Sequence, residues 1–488
     1  MSLLRIAAVV VLAGLGCGCA TIINDPVNVP LRGNVGAALA ASADDPENVT
    51  FSDNVLVALA FSGGGTRAAA FSFGVLTEMD KARLASRGGS VPLLDRLDFV
   101  SGVSGGSVTA AYYGLKKRAA LADFREKFLL RDAEESLNTA IDLINISRAL
   151  AGGVNDSTHL PRWLDANLFH GATFAEFRET RRPRIWINAS DIYNRTPFVF
   201  GRTAFTATCS DLLSYPIAEA VAASAAVPIV FAPVVIKTYP GQCTDKLPEW
   251  IERARNNPRA PPMLKAFANA MASYRDGAVP YIKLLDGGLV DNFGLSGFTI
   301  ARLSSDTPYG PLTRRQAVAM RRGLFLVVDA GRGPSGNWVQ TVQGPGGAEL
   351  VMAVADTATD AAVRAGFTAF EATLEEWQEQ LIRWRCGLSA AERTRLGAGP
   401  NWNCRDLKLR VGRLGFDQFD PTRAALLNAV PTRFKLPPEQ VEMMISAGAE
   451  ALRSNPTYRA FLAEVGGGGS RPPAQARVAQ PASSPAGR

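Results

Sequence analysis

The stretch Leu97-Asp98-Phe99-Val100-Ser101-Gly102-Val103-Ser104-Gly105-Gly106-Ser107-Val108 constrains the fold of this chain most tightly. An apolar run suited to a buried strand ends in Gly102-Val103-Ser104-Gly105-Gly106, and the small residues that follow as far as Tyr112 can open a helix. A G-x-S-x-G corner between strand and helix holds its serine in a strained backbone, and the flanking glycines, here Gly102 and Gly106, avoid the clashes that a Cβ would bring. Ser104 would then stand out from the end of the sheet, close to helix N-terminal amides. The pentapeptide alone fits a tight turn without chemistry equally well, because the chain has 45 glycines and an element of fold does not imply a reaction.

Two other strand ends give it company. Residues 54–61 read as a buried strand that runs into Ser62-Gly63-Gly64-Gly65-Thr66-Arg67 and then into a helical pattern. Successive glycines let backbone approach a ligand closely, and N–H groups at a helix start cradle an anion. Beside an attacking serine, such a cradle is an oxyanion hole. Downstream, Tyr281 to Leu285 reads as a strand that ends in Asp286-Gly287-Gly288, where a carboxylate can reach across a site. Asp291, just past the glycines, is the alternative carboxylate and suits a structural role better.

With these residues in view, the chain resembles the patatin-like phospholipases. The match consists of Gly63, Gly64, Gly65 and Arg67, then Gly102, Ser104 and Gly106, then Asp286, Gly287 and Gly288. It extends to Asn188-Ala189-Ser190-Asp191 and Ala223-Ser224-Ala225-Ala226-Val227-Pro228, and spans residues 54 to 335. One departure is Ala68, where the family's loop has glycine. The resemblance implies a Ser104–Asp286 dyad, an oxyanion hole at Gly63 to Gly65, and Arg67 either positioning that loop or meeting a lipid phosphate. It also implies hydrolysis of phospholipids or related acyl lipids through an acyl-serine, with no cofactor and no metal. Two other functions stay open: an acyltransferase using the same dyad, and a non-catalytic envelope lipoprotein that binds lipid or a partner.

Rival chemistries lack their residues. A Ser-His-Asp hydrolase with its histidine after the acid finds only His159 and His170, both before Asp286. Two histidines eleven positions apart, with no acidic cluster, make no metal ligand set. The glycine loop also lacks the Gly-Lys-Ser/Thr ending of a phosphate-binding P-loop.

The N-terminus carries Arg5, an apolar run from Ile6 to Leu15 and then Gly16-Cys17-Gly18-Cys19-Ala20, which reads as a secretory leader over residues 1–19. Its end resembles a bacterial lipoprotein processing site, so Cys17 and Cys19 are lipidation candidates. The expectation is an exported protein of a bacterial cell envelope, tethered to membrane and facing the periplasm. The formal charge of +7 shrinks once Arg5 and the tail arginines Arg471, Arg477 and Arg488 are set aside, so it is no argument for nucleic acid. The expected partners are lipid substrate and membrane surface. In an exported chain, Cys209, Cys243, Cys386 and Cys404 suggest two disulfides, and proximity in sequence favours Cys209 with Cys243 and Cys386 with Cys404.

Composition allows a large core, with 47% hydrophobic and 20% charged residues. Apolar strands alternate with helical stretches, which predicts an α/β fold with a mainly parallel central sheet and helices on both faces. Residues 20–53 read as a tether or surface wrap, 54–345 as the catalytic domain and 346–465 as a helical C-terminal extension. The glycine-, proline- and alanine-rich tail over 466–488 cannot bury a core and reads as disordered. Within the domain, residues 120–177 read as a helical insertion with Leu137, Ala140, Ile141, Ile144 and Ala149 on one face, and 208–276 as a surface excursion. The extension repeats Leu374, Trp377, Leu381 and Trp384 at helical spacing.

Overall fold

The computed structural model describes residues 22–31, 54–86, 89–135, 137, 152–180, 182–333 and 336–466. Cys17 and Cys19, the positions Ala140, Ile141, Ile144 and Ala149, and the tail from 467 lie outside the described residues. No helix among the described residues is long and apolar enough to cross a membrane.

The strands in chain order are β1 (Val55–Phe61), β2 (Arg83–Ser86), β3 (Gly89–Pro92), β4 (Phe99–Val103), β5 (Arg184–Asp191), β6 (Thr196–Val199), β7 (Val234–Lys237), β8 (Tyr281–Asp286), β9 (Arg322–Val328) and β10 (Lys408–Leu414). β2 and β3 form a separate antiparallel pair. The main sheet runs β10-β9-β1-β4-β5-β8-β7, with β6 folded back on β5. The five strands from β10 to β5 are parallel. β8 is antiparallel to β5, and β7 is antiparallel to β8.

Six helices frame the site: α1 (Gly65–Lys81), α2 (Gly105–Lys116), α3 (Ile217–Ser224), α4 (Ser296–Leu303), α5 (Gly347–Cys386) and α6 (Pro438–Ser454). The sheet has a core on each face, as the alternation along β1 shows. Val57, Leu59 and Phe61 join the cluster under α1 and α6, while Leu56, Ala58 and Ala60 join the one under α4 and α5. Side chains of successive strand residues point to opposite faces, so a strand covered on both sides must be apolar throughout. The β1 sequence, VLVALAF, meets that demand.

The sheet is mainly parallel, as expected, with its antiparallel strands at one side. There β8 comes from the opposite direction, and its last residue, Asp286, pairs with Ala189 next to the Val103–Asn188 pair. Two other expectations need correcting. The 208–276 region is more than a surface excursion, because it contributes α3 and β7, the latter hydrogen-bonded into the sheet. The 346–465 extension is helical, but it also supplies β10 to the sheet. It covers both faces as well. From α5, Leu374, Trp377 and Leu381 are buried in one core, and from α6, Val441, Met444, Ala447 and Ala451 are buried in the other.

Glycines bring α1 and α6 into near contact. A Cβ on Gly74 would lie 2.0 Å from the Ile445 carbonyl oxygen, and one on Gly448 2.0 Å from that of Phe71. Disulfides join Cys209 to Cys243 and Cys386 to Cys404. At the N-terminal side, residues 22–31 wrap the surface. There the Asn28 side chain donates to Ser210 Oγ (2.6 Å) and to the Lys237 carbonyl (2.7 Å).

Because the extension covers the sheet, Trp377→Ala should destabilise the whole fold by about 3–5 kcal/mol, the usual cost of truncating a large buried aromatic. A single cooperative transition shifted to lower denaturant is expected. An unshifted transition of the β1–β9 body, with only the extension melting early, would contradict this packing. Leu426→Ala, at an exposed position, should be nearly neutral.

Candidate active site

Ser104 follows the last residue of β4 and precedes α2, with φ 51° and ψ −125°. A non-glycine residue there is strained, and such strain persists only where its surroundings over-determine it. They do so here through hydrogen bonds. The Ser104 N–H donates to Ser224 Oγ (2.9 Å), and the Ser224 hydroxyl donates to the Asn188 carbonyl (2.6 Å). On the other side, the Ser104 carbonyl accepts from Ser107 Oγ (2.6 Å) and from the Ser107 N–H (2.9 Å).

The glycine loop lies flush against this corner. A Cβ on Gly105 would fall 1.9 Å from the Gly65 carbonyl oxygen, and one on Gly106 2.5 Å from that of Ser62. Gly102 is equally enclosed, since its Cβ would lie 2.6 Å from Ser107 Cα. Gly65 has φ +58° and Gly64 φ +137°, conformations open to glycine and rare for other residues. Of the three loop amides, Gly63 is already engaged. It donates to the Asn292 side-chain oxygen (3.1 Å) and to the Asn292 carbonyl (3.2 Å). Among the described residues none takes the N–H of Gly64 or Gly65. Ala68 sits in the first turn of α1 and donates to the Gly64 carbonyl (3.3 Å), a position without any need for glycine.

Arg67 is buried behind the loop. It is 2% exposed, and its guanidinium donates to the carbonyls of Ala330 (2.9 Å) and Val430 (2.8 Å). Burial, helped by nearby Arg332, lowers its pKa to about 9. Next to it, the Thr66 N–H donates to the Arg433 carbonyl (2.8 Å). The bent segment around Arg433 is stapled in turn by Glu134, which accepts from the Arg433 guanidinium (Nε, 3.1 Å) and from the Phe434 N–H (2.7 Å). Residues from the C-terminal extension therefore fix the loop that faces Ser104.

Asp286 is buried at the end of β8, beside the Ser104 side chain, which helps to hold its carboxyl down. Its carboxylate also accepts from the Gly288 N–H (2.8 Å). Burial outweighs the Gly288 N–H and the Ser104 side chain, which pull the other way, and raises its pKa to about 6. The backbone that carries it hangs on the segment after α3: the Asp286 N–H donates to the Ala226 carbonyl (2.8 Å) and the Gly287 N–H to the Ser224 carbonyl (3.1 Å). Ser224 thus touches both halves of the site, through its hydroxyl on one side and its carbonyl on the other.

The structure brings together Gly63, Gly64, Gly65, Arg67, Gly102, Ser104, Gly106 and Asp286, and sets the other candidates apart. Asp291 accepts from the N–H groups of Phe293 (3.3 Å) and Ser296 (2.5 Å), which is a turn-capping role. His159 lies beside Asp156, and His170 is exposed at the end of a helical turn. Sequence reading missed Asn292, the bracing role of Ser224, and the Val430 and Arg433 carbonyls. Asn292 and Ser224 stand inside segments already singled out, whereas a backbone carbonyl from a distant segment leaves no sequence signal.

Fold and site together define an α/β protein in which an elbow serine, a buried carboxylate and a glycine loop meet at one end of the sheet. Residues 59–299 match the patatin-like phospholipase family, so this segment of the chain is similar to that family. No curated protein matches the chain. Among solved structures, human GIVD cytosolic phospholipase A2 is similar at 12% identity over 56% of this chain and 45% of that one, with a TM-score of 0.33. The same enzyme in complex with methyl gamma-linolenyl fluorophosphonate and terbium chloride is similar at 14% identity, over 56% and 40%, with a TM-score of 0.27. The chain thus spans less than half the length of these two.

Ser224→Ala should lower kcat by on the order of ten- to a hundredfold with little change in KM, since it loosens the elbow without touching bound substrate. Unchanged kcat in steady-state assays would contradict the bracing role. If Asp286 must be ionised to accept a proton, kcat/KM should rise as pH passes upward through about 6. A profile flat from pH about 5 to 7 would contradict that.

Proposed function

We propose that the protein is a serine acyl hydrolase that cleaves ester bonds of phospholipids or related acyl lipids. The observation that carries this reading is that the ends of β4 and β8 set Ser104 beside a buried carboxylate, Asp286, whose pKa burial raises to about 6. An ordinary aspartate, with a pKa of about 3.9, is a weak base at neutral pH. Burial brings Asp286 closer to the pH at which it must work, and general-base assistance of this kind contributes roughly 10² to 10⁴-fold.

In the proposed sequence Asp286 takes the Ser104 proton as the hydroxyl oxygen attacks the ester carbonyl. The bond to the leaving alcohol or lysolipid breaks, that group leaves with the proton, and an acyl-serine remains. Water then gives a proton to Asp286, attacks the acyl carbonyl and releases the fatty acid, and Ser104 recovers its proton. The Gly64 and Gly65 amides are the donors for the oxyanion, each worth about 3–4 kcal/mol in such sites. Arg67 holds those amides in place and takes no part in phosphate binding. Export to a bacterial envelope, with a lipid on Cys17 or Cys19, would put the site next to its substrates.

The test is fatty-acid release from mixed phospholipid micelles. Wild type should release fatty acid, Ser104→Ala should fall to background, and Asp286→Asn should lose at least about a hundredfold, with both variants melting like wild type. Release that survives in Ser104→Ala would sink the reading.

A further inference from the structure

The glycine loop and the turn that carries the acid share one side chain. Asn292 lies six residues after Asp286, just beyond the helical turn Gly288–Asp291. Its Oδ1 accepts from the Gly63 N–H (3.1 Å), and its main-chain carbonyl accepts from the same N–H (3.2 Å). Only the oxygen end of an amide can accept, so this bond also sets which end of the Asn292 side chain meets the loop.

That oxygen fills the space on two sides. A Cβ on Gly63 would lie 2.5 Å from Asn292 Oδ1 and 3.3 Å from Ser104 Cβ, and one on Gly288 would lie 2.8 Å from Asn292 Oδ1 and 3.1 Å from Asp286 Oδ1. One atom thus touches the loop next to the serine and the turn next to the carboxylate. The turn is itself pinned, because the Gly288 N–H donates to Asp286 Oδ1 and Asp291 accepts from the N–H groups of Phe293 and Ser296. A shift of the acid therefore reaches Gly63 through Asn292, and Gly64 is the next residue along.

We propose that Asn292 is a positioning residue: its Oδ1 ties Gly63 to the turn of Asp286, and so fixes the Gly64 and Gly65 amides relative to Ser104 and its carboxylate. This deepens the acyl-hydrolase reading and rests on it.

Two substitutions separate this role from a merely structural one. Asn292 is half-buried, and among the described residues none accepts from its Nδ2. Aspartate has the same shape and loses no hydrogen bond there, but it adds a charge near Asp286. Among the described residues no charged side chain bears on Asp286, whose carboxyl burial raises and the Gly288 N–H and Ser104 side chain hold down. Charges on the surrounding elements are engaged elsewhere. Asp191 on β5 accepts from Tyr274 and Asn194, Lys283 on β8 lies over Tyr281, and Glu219 on α3 faces Arg162. Asp291 caps its own turn, Arg67 meets two carbonyls, and Asp360 on α5 lies near Arg364. In Asn292→Ala the main-chain carbonyl at 292 still accepts the Gly63 N–H, so the variant should fold and lose placement alone.

The experiment is the rate at which an alkyl fluorophosphonate labels Ser104 in the full chain, read by mass spectrometry across pH. Thermal melting and fatty-acid release from phospholipid micelles are measured beside it. Asn292→Ala should melt like wild type and label about tenfold more slowly at every pH. Asn292→Asp should stay within about threefold of wild type at about pH 9, while the rise near pH 6 moves up by about one pH unit, because a second negative charge disfavours ionised Asp286. Labelling of Asn292→Ala at the wild-type rate overturns the proposal, as does an unmoved rise in Asn292→Asp. If both variants behave as expected but wild type releases no fatty acid, the positioning role stands and the phospholipid reading falls. If wild type releases fatty acid and both variants match it throughout, the role falls and the hydrolase stands. A wild type that neither takes the label nor releases fatty acid overturns both.

Discussion

The structure depends on keeping one carboxylate out of water beside one serine. Asp286 is almost fully enclosed, and burial raises its pKa to about 6 against the Gly288 N–H and the Ser104 side chain, which pull the other way. Leaving a carboxylate in such a place is costly unless its neighbours are fixed. They are fixed from three directions: the elbow that presents Ser104, the glycine loop packed on it, and the segment from Ser224 to Ala226 that carries the Asp286 and Gly287 amides.

The same requirement explains why so much chain outside residues 59–299 belongs to the site's support. A glycine loop with two positive-φ residues has little stiffness of its own. Arg67 supplies it by donating to Ala330 and Val430, and the Arg433 carbonyl caps the start of α1 through Thr66. Arg433 and Phe434 are held in turn by Glu134. The C-terminal part thereby becomes a brace for amides that the proposed chemistry needs in fixed positions.

The strands that carry the site were legible because each is mainly apolar and ends in a distinctive turn: β1 in the glycine loop, β4 in the elbow, β8 in Asp286-Gly287-Gly288. The direction of β8 was not legible, since composition marks a strand as buried without saying which way it runs. β10 was missed for a different reason. Its sequence, KLRVGRL, alternates charge with apolar residues as an edge strand does, and no motif borders it. The helical stripe of Leu374, Trp377 and Leu381 was readable as periodicity, but what it covers depends on contacts between distant parts of the chain. Arg67 was open in the sequence to positioning the loop, meeting a lipid phosphate or forming a structural ion pair, and the structure buries it against two backbone carbonyls.

The most direct test of the account is the site of covalent acylation during turnover. Wild type mixed with a phospholipid labelled in its acyl chain and quenched within seconds should carry the label on the peptide that contains Ser104, and Asp286→Asn should carry little or none over the same interval. Fatty-acid release with no acyl group on Ser104, or with the label on another residue, would contradict it.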